Sequence, residues 1–411
     1  MLRNPSRRQV ALFSGLALAV TTLLVSGCTP RDPWNKPQTS VQQFPDTQAP
    51  QLANGMPISP IQPPQARAAK VAILLPLSGK GSDTGQAMLN AAQLAVFDLN
   101  ATSFELIPRD TMGTPDGARD AATTAASEGA QLILGPVFSN DAKAVTPVAL
   151  QRGLSTISFS TDTSVASSGG FVLGFLPQSQ ITQAIDFAAT QGVRKIALIA
   201  PQDAYGETAD LAFKSHIMRR SLMTGGIVRY NPTTGTTPEQ IKALLASNFQ
   251  TGQKPFDAVI IAAPGAQAGR ISQQLSDAGA PPSLVQRIGT GLWDQADVAR
   301  IPSLQGAYYA ASSPRLREKF EARYQQTYGE TAPRLASLAY DATALAIVLS
   351  RSNQDYSRPT LINPNGFSGI DGIFRFRNDG LVERGLAILQ IRNGSAVVIK
   401  DAPSSFQALG G

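Results

Sequence analysis

The 411-residue sequence has one cysteine and one histidine. A single cysteine excludes an internal disulfide and any cysteine-based metal cluster. A single histidine removes most zinc sites and most histidine-dependent triads. That residue, His216, stands beside Met218-Arg219-Arg220 in a helical stretch, where a place on a helix surface is the simpler reading than a catalytic base. Strong charge of one sign is missing too. The formal net charge is +6, and without Arg3, Arg7 and Arg8, which fall in a removable leader, it is +3. Nucleic-acid binders carry a much stronger basic patch. No phosphate-cradling G-x-x-x-x-G-K-[ST] occurs, nor a G-x-S-x-G nucleophile turn. Gly79, Gly81 and Gly85 are spaced G-x-G-x-x-x-G, one residue too long for a dinucleotide fingerprint, and Ser139 and Lys143 are spaced S-x-x-x-K rather than S-x-x-K. The sequence therefore offers no catalytic residue, no metal site and no cofactor. What it has in quantity is hydrophobic content, 43%, enough for a substantial core.

Residues 1–27 read as a lipoprotein signal peptide. Three arginines and no acid precede an apolar run, Val10–Val25, shorter than the roughly 20 residues that span a bilayer. Val25-Ser26-Gly27-Cys28 closes it, and the position of Cys28 resembles that of the lipidated cysteine in bacterial lipoproteins. The expectation is a mature chain held at a membrane by lipid on Cys28. The residue after it is Thr29 rather than the aspartate of inner-membrane retention, which favours the outer membrane. Residues 28–67 are rich in proline and glutamine and read as a tether, because they contain too little apolar surface to offset chain entropy.

From Lys70 the pattern changes. Val71-Ala72-Ile73-Leu74-Leu75-Pro76-Leu77 and Lys195-Ile196-Ala197-Leu198-Ile199-Ala200 are short continuous apolar runs, as in strands buried on both faces. Helical stretches follow each, at Thr84–Leu99 and Glu207–Met223, and the alternation repeats through about residue 311. Strand–helix alternation predicts right-handed βαβ units in mostly parallel sheets. The last hundred residues break the rhythm. Two successive helices, Arg315–Tyr328 and Leu335–Arg351, precede an antiparallel meander of Ile370–Phe376, Leu386–Arg392 and Ala396–Lys400, with turns at Asn378-Asp379-Gly380 and Asn393-Gly394.

Several segments carry a resemblance. Val71 to Gly79, Gly85, Leu132-Ile133-Leu134-Gly135-Pro136, Ser139, Asp203-Ala204-Tyr205-Gly206 and Ala339-Tyr340-Asp341-Ala342 resemble the type 1 periplasmic-binding fold of branched-chain amino-acid receptors. The resemblance implies an α/β molecule of two lobes, with doubly wound, mostly parallel sheets and a ligand cleft between them. It places lobe 1 at 68–176 and 311–360, and lobe 2 at 177–310 and 361–411. Leu75-Pro76-Leu77-Ser78-Gly79, Gly135-Pro136-Val137-Phe138-Ser139 and Gly174-Phe175-Leu176-Pro177 are further similar to the penicillin-binding protein activator family. That similarity implies a non-catalytic periplasmic lipoprotein whose partner is a penicillin-binding protein, a peptidoglycan synthase. The alternative is the solute-binding lipoprotein of an ABC transporter, taking an amino acid, an amide or another small polar ligand.

By pattern with the amino-acid receptors, Ser139, Ser160, Thr161 and Asp162 would hold a ligand carboxylate, Tyr205 would line the pocket, and the loop at Thr84 would face it. Ordinary loop capping by the same hydroxyls stays open. Trp293 stands either at the cleft or as a buried loop anchor. Two departures speak against an amino acid. Asp162 puts negative charge near the carboxylate subsite, and Ala263-Pro264-Gly265 lacks an acid to pair with a ligand ammonium.

Overall fold

The computed structural model describes residues 68–247, 254–352 and 355–409. The leader, Cys28 and the tether lie outside the described residues. No described helix is long and apolar enough to cross a membrane.

The first lobe is built from β1 (Ala69–Leu75), α1 (Ser82–Asp98), β2 (Phe104–Asp110), α2 (Pro115–Ser127), β3 (Leu132–Leu134), α3 (Ser139–Gln151), β4 (Ser155–Ser158), the one-turn α4 (Ser164–Ser167) and β5 (Phe171–Val172). Its five strands are all parallel, in the order β2-β1-β3-β4-β5. The reason is visible in β1. Val71, Ile73 and Leu75 point into one apolar core, while Ala72 and Leu74 point into a second on the other face. A strand buried on both sides needs helices above and below it, and βαβ crossovers supply them.

The second lobe repeats the scheme with α5 (Pro177–Thr190), β6 (Lys195–Pro201), α6 (Ala204–Arg219), β7 (Met223–Tyr230), α7 (Pro238–Ala246), β8 (Ala258–Ile261), α8 (Gly265–Asp277), β9 (Gln286–Gly289) and β10 (Tyr308–Ala311). The parallel order β7-β6-β8-β9-β10 mirrors that of the first lobe. Strand β6 likewise splits its apolar residues between two cores, with Ala197 and Ile199 on one face and Ile196, Leu198 and Ala200 on the other.

A shared detail ties the two halves. Gly85 in the first turn of α1 sits against the Pro76 carbonyl oxygen, and Gly206 in the first turn of α6 sits against that of Pro201. A Cβ at either position would overlap backbone, so each helix lies close to the end of its strand only because glycine stands there. Gly85→Ala is expected to cost roughly 1–3 kcal/mol, as overpacking does, and the loss would be read from urea denaturation of the full chain.

Three differences from the sequence reading stand out. Helix α5 lies in a stretch left without an element, although Pro177 opens it and Ile181, Ala184, Ile185 and Ala188 line one buried face. The stretch read as one helix to Met223 is α6 ending at Arg219 followed by β7, because Ser221 turns the chain through a positive φ of 51°. The third concerns the tail. After α9 (Pro314–Tyr328), α10 (Ala336–Arg351) and the one-turn α11 (Arg358–Leu361), the chain does not form a single meander. Strands β11 (Phe367–Gly369), β12 (Gly372–Phe376) and β13 (Val382–Arg384) make a separate antiparallel sheet. Phe374, Phe376 and Val382 share a core with β1 and α10, so this sheet joins the first lobe rather than the second. Only β14 (Ala387–Arg392) and β15 (Ser395–Lys400) extend the second lobe's sheet, with β14 antiparallel to β10. The Asn393-Gly394 turn, both residues at positive φ, joins them. The chain thus passes between the lobes at 173–177, 311–314 and 384–387.

Candidate functional site

The three crossovers meet beside a cavity of about 350 Å3. Its walls come from loops at the carboxyl ends of parallel strands: Thr161 after β4, Tyr205 after β6, Gly291 to Gln295 after β9 and Ala311-Ser312 after β10. This is where open α/β sheets present ligands, because helix starts and strand ends converge there. Phe175, Leu176, Leu292, Leu335, Val382 and Leu386 make most of the lining apolar.

The polar lining is held by short-range chemistry. Asp203 caps α6 by accepting from the Gly206 amide at 2.9 Å, which fixes Tyr205 in the first turn. The Tyr205 hydroxyl donates to Thr290 Oγ1 at 2.9 Å. Gln180, in the first turn of α5, accepts from the Gly291 amide at 2.9 Å and so pins the 3-10 turn Gly291–Trp293 to the first crossover.

Around the hinge lies a charge network. Arg334 donates to Asp371 through Nη2 at 2.7 Å and Nη1 at 3.2 Å, and the Ser337 hydroxyl donates to the same carboxylate at 2.7 Å. The Arg334 guanidinium also lies 3.9 Å above the Phe175 ring. Asp294, from the second lobe, is taken by Arg317 of α9, with Arg334 Nε a further 4.0 Å away. Arg384, at the third crossover, is 3% exposed and donates through Nη2 to the Leu173 carbonyl at 2.9 Å, joining the first crossover. Its guanidinium carbon lies 5.2 Å from the Phe175 ring centroid and 5.5 Å from that of Phe374.

Two buried carboxyls complete the network. Burial works against the charge of Asp371, but Arg334, Arg384 and the Ser337 hydroxyl outweigh it and hold the group below the usual carboxylate range. Asp341 is the opposite case. Burial first, and the negative Asp371 second, push it up to about 7. Its Oδ1 accepts from the Ile370 amide at 2.7 Å, while Oδ2 has no hydrogen-bond partner.

Of the residues singled out from sequence, Thr161 and Tyr205 line this cavity. The others sit elsewhere. Ser160 is buried, accepting from the Asp162 amide at 3.0 Å, and Asp162 pairs with Lys143 at 3.0 Å and caps Ser164. Those contacts are loop capping. Thr84 and Ser139 lie in the first turns of α1 and α3 and are not among the cavity's walls. Trp293 is the buried loop anchor: 1% exposed, it donates from Nε1 to the Ala263 carbonyl at 3.0 Å and meets Tyr309 edge-on. Sequence reasoning missed Phe175, Asp294, Arg334 and Arg384. Phe175 and Asp294 stand within or beside segments it had noticed. The two arginines have no motif, since only folding brings positions 334 and 384 to one cavity. Among the described residues no group of three or more metal-ligating side chains comes together.

Comparison with known proteins follows the geometry. Residues 68–396 match the family model described as periplasmic binding protein. The penicillin-binding protein activator LpoA of Vibrio cholerae is 28% identical over 167 residues, 36% of this chain and 25% of that protein. The chain therefore spans only a quarter of that relative's length. Among solved structures, a Rhodospirillum rubrum chain assigned to a branched-chain amino acid ABC transporter superposes with a TM-score of 0.72 at 18% identity, over 81% of this chain and 100% of that one. A Burkholderia xenovorans branched-chain amino acid ABC transporter ligand-binding protein gives 0.66 at 17%, over 84% and 97%. A Rhodopseudomonas palustris solute-binding protein in complex with 3,4-dihydroxybenzoic acid gives 0.60 at 18%, over 81% and 96%.

Proposed function

Because the chain belongs to the periplasmic binding protein family, we propose that it is a non-catalytic envelope protein that docks on a penicillin-binding protein and raises its peptidoglycan synthesis. The observation carrying this reading is the 167-residue similarity to the Vibrio cholerae activator. In this reading lipid on Cys28 anchors the chain, to the outer membrane, and residues 28–67 give the body its reach. The body acts by binding one state of the synthase better than another, which shifts that equilibrium without any chemistry of its own.

The test uses the full chain carrying Cys28→Ser as bait against detergent-solubilised membranes. The expected result is retention of a peptidoglycan synthase, and faster glycan polymerisation or crosslinking when the protein is added to that synthase. Retention of a permease, or no change in synthase rate, would overturn the proposal.

The hinge cavity favours a second reading, a solute receptor that closes its lobes on a small molecule. About 350 Å3 is within the range of small-ligand sites, and the Rhodopseudomonas palustris relative holds a dihydroxybenzoic acid. A cavity of this kind also suits a docking protein that senses a ligand, so the two readings share it.

A further inference from the structure

The strongest unmet chemistry in the cavity belongs to Arg384. Stacking against Phe175 and Phe374 uses the faces of its guanidinium, and Leu173 takes one donor from Nη2. The N–H groups of Nε and Nη1 have no acceptor, although the residue is 97% removed from solvent. Buried guanidinium donors without an acceptor are costly, and the group that relieves them best is an oxyanion in the guanidinium plane. The neighbouring carboxylates do not supply it. Asp371 is committed to Arg334 and Ser337, and Asp294 to Arg317. Asp341 accepts from the Ile370 amide instead.

Charge around the cavity points the same way. Two guanidiniums, Arg334 and Arg384, face one carboxylate, Asp294, which a third arginine already neutralises. The same arrangement leaves no free acid for a ligand ammonium. The remaining walls are apolar, with Leu292, Leu335, Val382 and Leu386 placed to cover a hydrocarbon or ring. Resting on the reading of this cavity as a ligand site, we infer that it takes a small apolar monocarboxylate without an α-ammonium group, and that Arg384 at the third crossover is the residue that recognises the carboxylate.

In this arrangement the anion would be held at the hinge, where Arg384 already joins two crossovers, rather than by the hydroxyls of the β4 loop. Bound ligand would then tie the first and third crossovers more tightly. The lobes would be set by what occupies the hinge end of the cleft.

Matched probes test this on the full chain carrying Cys28→Ser, by isothermal titration at pH 7. The probes are 4-methylpentanoate, 4-methylpentanamide, leucine, 3-phenylpropionate and 3-phenylpropionamide. Each acid is expected to bind at least about tenfold more tightly than its amide, since only the charged form meets the guanidinium. Leucine, which adds an ammonium to the 4-methylpentanoate skeleton, is expected to bind more weakly than that acid. Arg384→Met should abolish the preference for acid over amide, and Arg384→Lys should restore only part of it because the planar fork is lost. If either variant fails to fold by far-UV circular dichroism, the acid–amide comparison on the unaltered residue decides alone. Equal binding of acid and amide, leucine binding as tightly as 4-methylpentanoate, or unchanged acid affinity in a folded Arg384→Met would overturn the assignment while leaving a ligand cavity in place. Binding of no probe would overturn the assignment and the solute-receptor reading together, and would leave synthase docking to its own test.

Discussion

Asp371→Ala is expected to lose about 3–5 kcal/mol of folding stability, the scale on which a buried ion pair broken from one side destabilises. Asp371 is fully buried and takes three charge-assisted or hydroxyl hydrogen bonds, two of them from Arg334. Deleting it leaves Arg334 with Asp294 at 4.0 Å as its remaining acid, and removes a Coulombic partner of Arg384. Those arginines sit where the chain crosses between lobes, so the damage falls on the hinge as well as on one core. Urea denaturation followed by far-UV circular dichroism measures the loss. A change below about 1 kcal/mol, the scale of an exposed pair, would show that the network does not carry the hinge. Asp371→Asn keeps a hydrogen-bonding side chain of the same size, and its cost relative to alanine separates lost charge from lost packing.

Asp341→Asn is expected to do the reverse, and only above a threshold of pH. The native carboxyl titrates near 7 because burial and Asp371 both oppose its charge, whereas an unfolded aspartate titrates near 3.9. Between those values the native state holds a proton that the unfolded chain has released. Stability from this group is therefore full below about pH 4 and is lost as pH rises through 7. The asparagine variant has no such proton to lose. It should match the original protein near pH 4 and exceed it by on the order of 3 kcal/mol at pH 8. The two acids titrate as a pair, so the gain should shrink in an Asp371→Ala background, where the negative neighbour is gone. Paired urea titrations at pH 4 and pH 8 check both statements. A pH-independent difference would mean that Asp341 is ionised throughout. The Asp341 side chain lies close to Gly369, just before the segment that carries Asp371, which is why one proton there bears on the sheet β11–β13.

Local sequence accounts for the framework. The runs in β1 and β6 are apolar at every central position, and only a strand covered on both faces buries such a run completely. The helix over Pro115–Ser127 was legible to the residue from Pro115 at its start and the amphipathic spacing of its alanines, with Thr114 as its cap. The Asn393-Gly394 turn was legible because few other dipeptides adopt two positive φ values. The missed α5 shows the limit of local reading, since its apolar face is made largely of alanine and isoleucine between glutamines and was not noticed.

The tail and the cavity required tertiary structure. Ile370 to Phe376 and Leu386 to Arg392 have similar strand patterns, yet the first packs on the core of β1 and the second pairs with β10. Nothing in either segment encodes its destination, because strand pairing is a choice among distant partners of equal local merit. The cavity is more extreme. Thr161 and Tyr205 follow strand ends and could be placed by pattern, but Arg334 and Arg384 acquire their meaning from Phe175, Asp294 and Asp371, residues up to about two hundred positions away. Apolar periodicity along the chain determined that this protein would form doubly wound lobes. The convergence of three crossovers decided which charges meet between those lobes, since burial and distance, which set the strength of a charge, exist only in the folded chain.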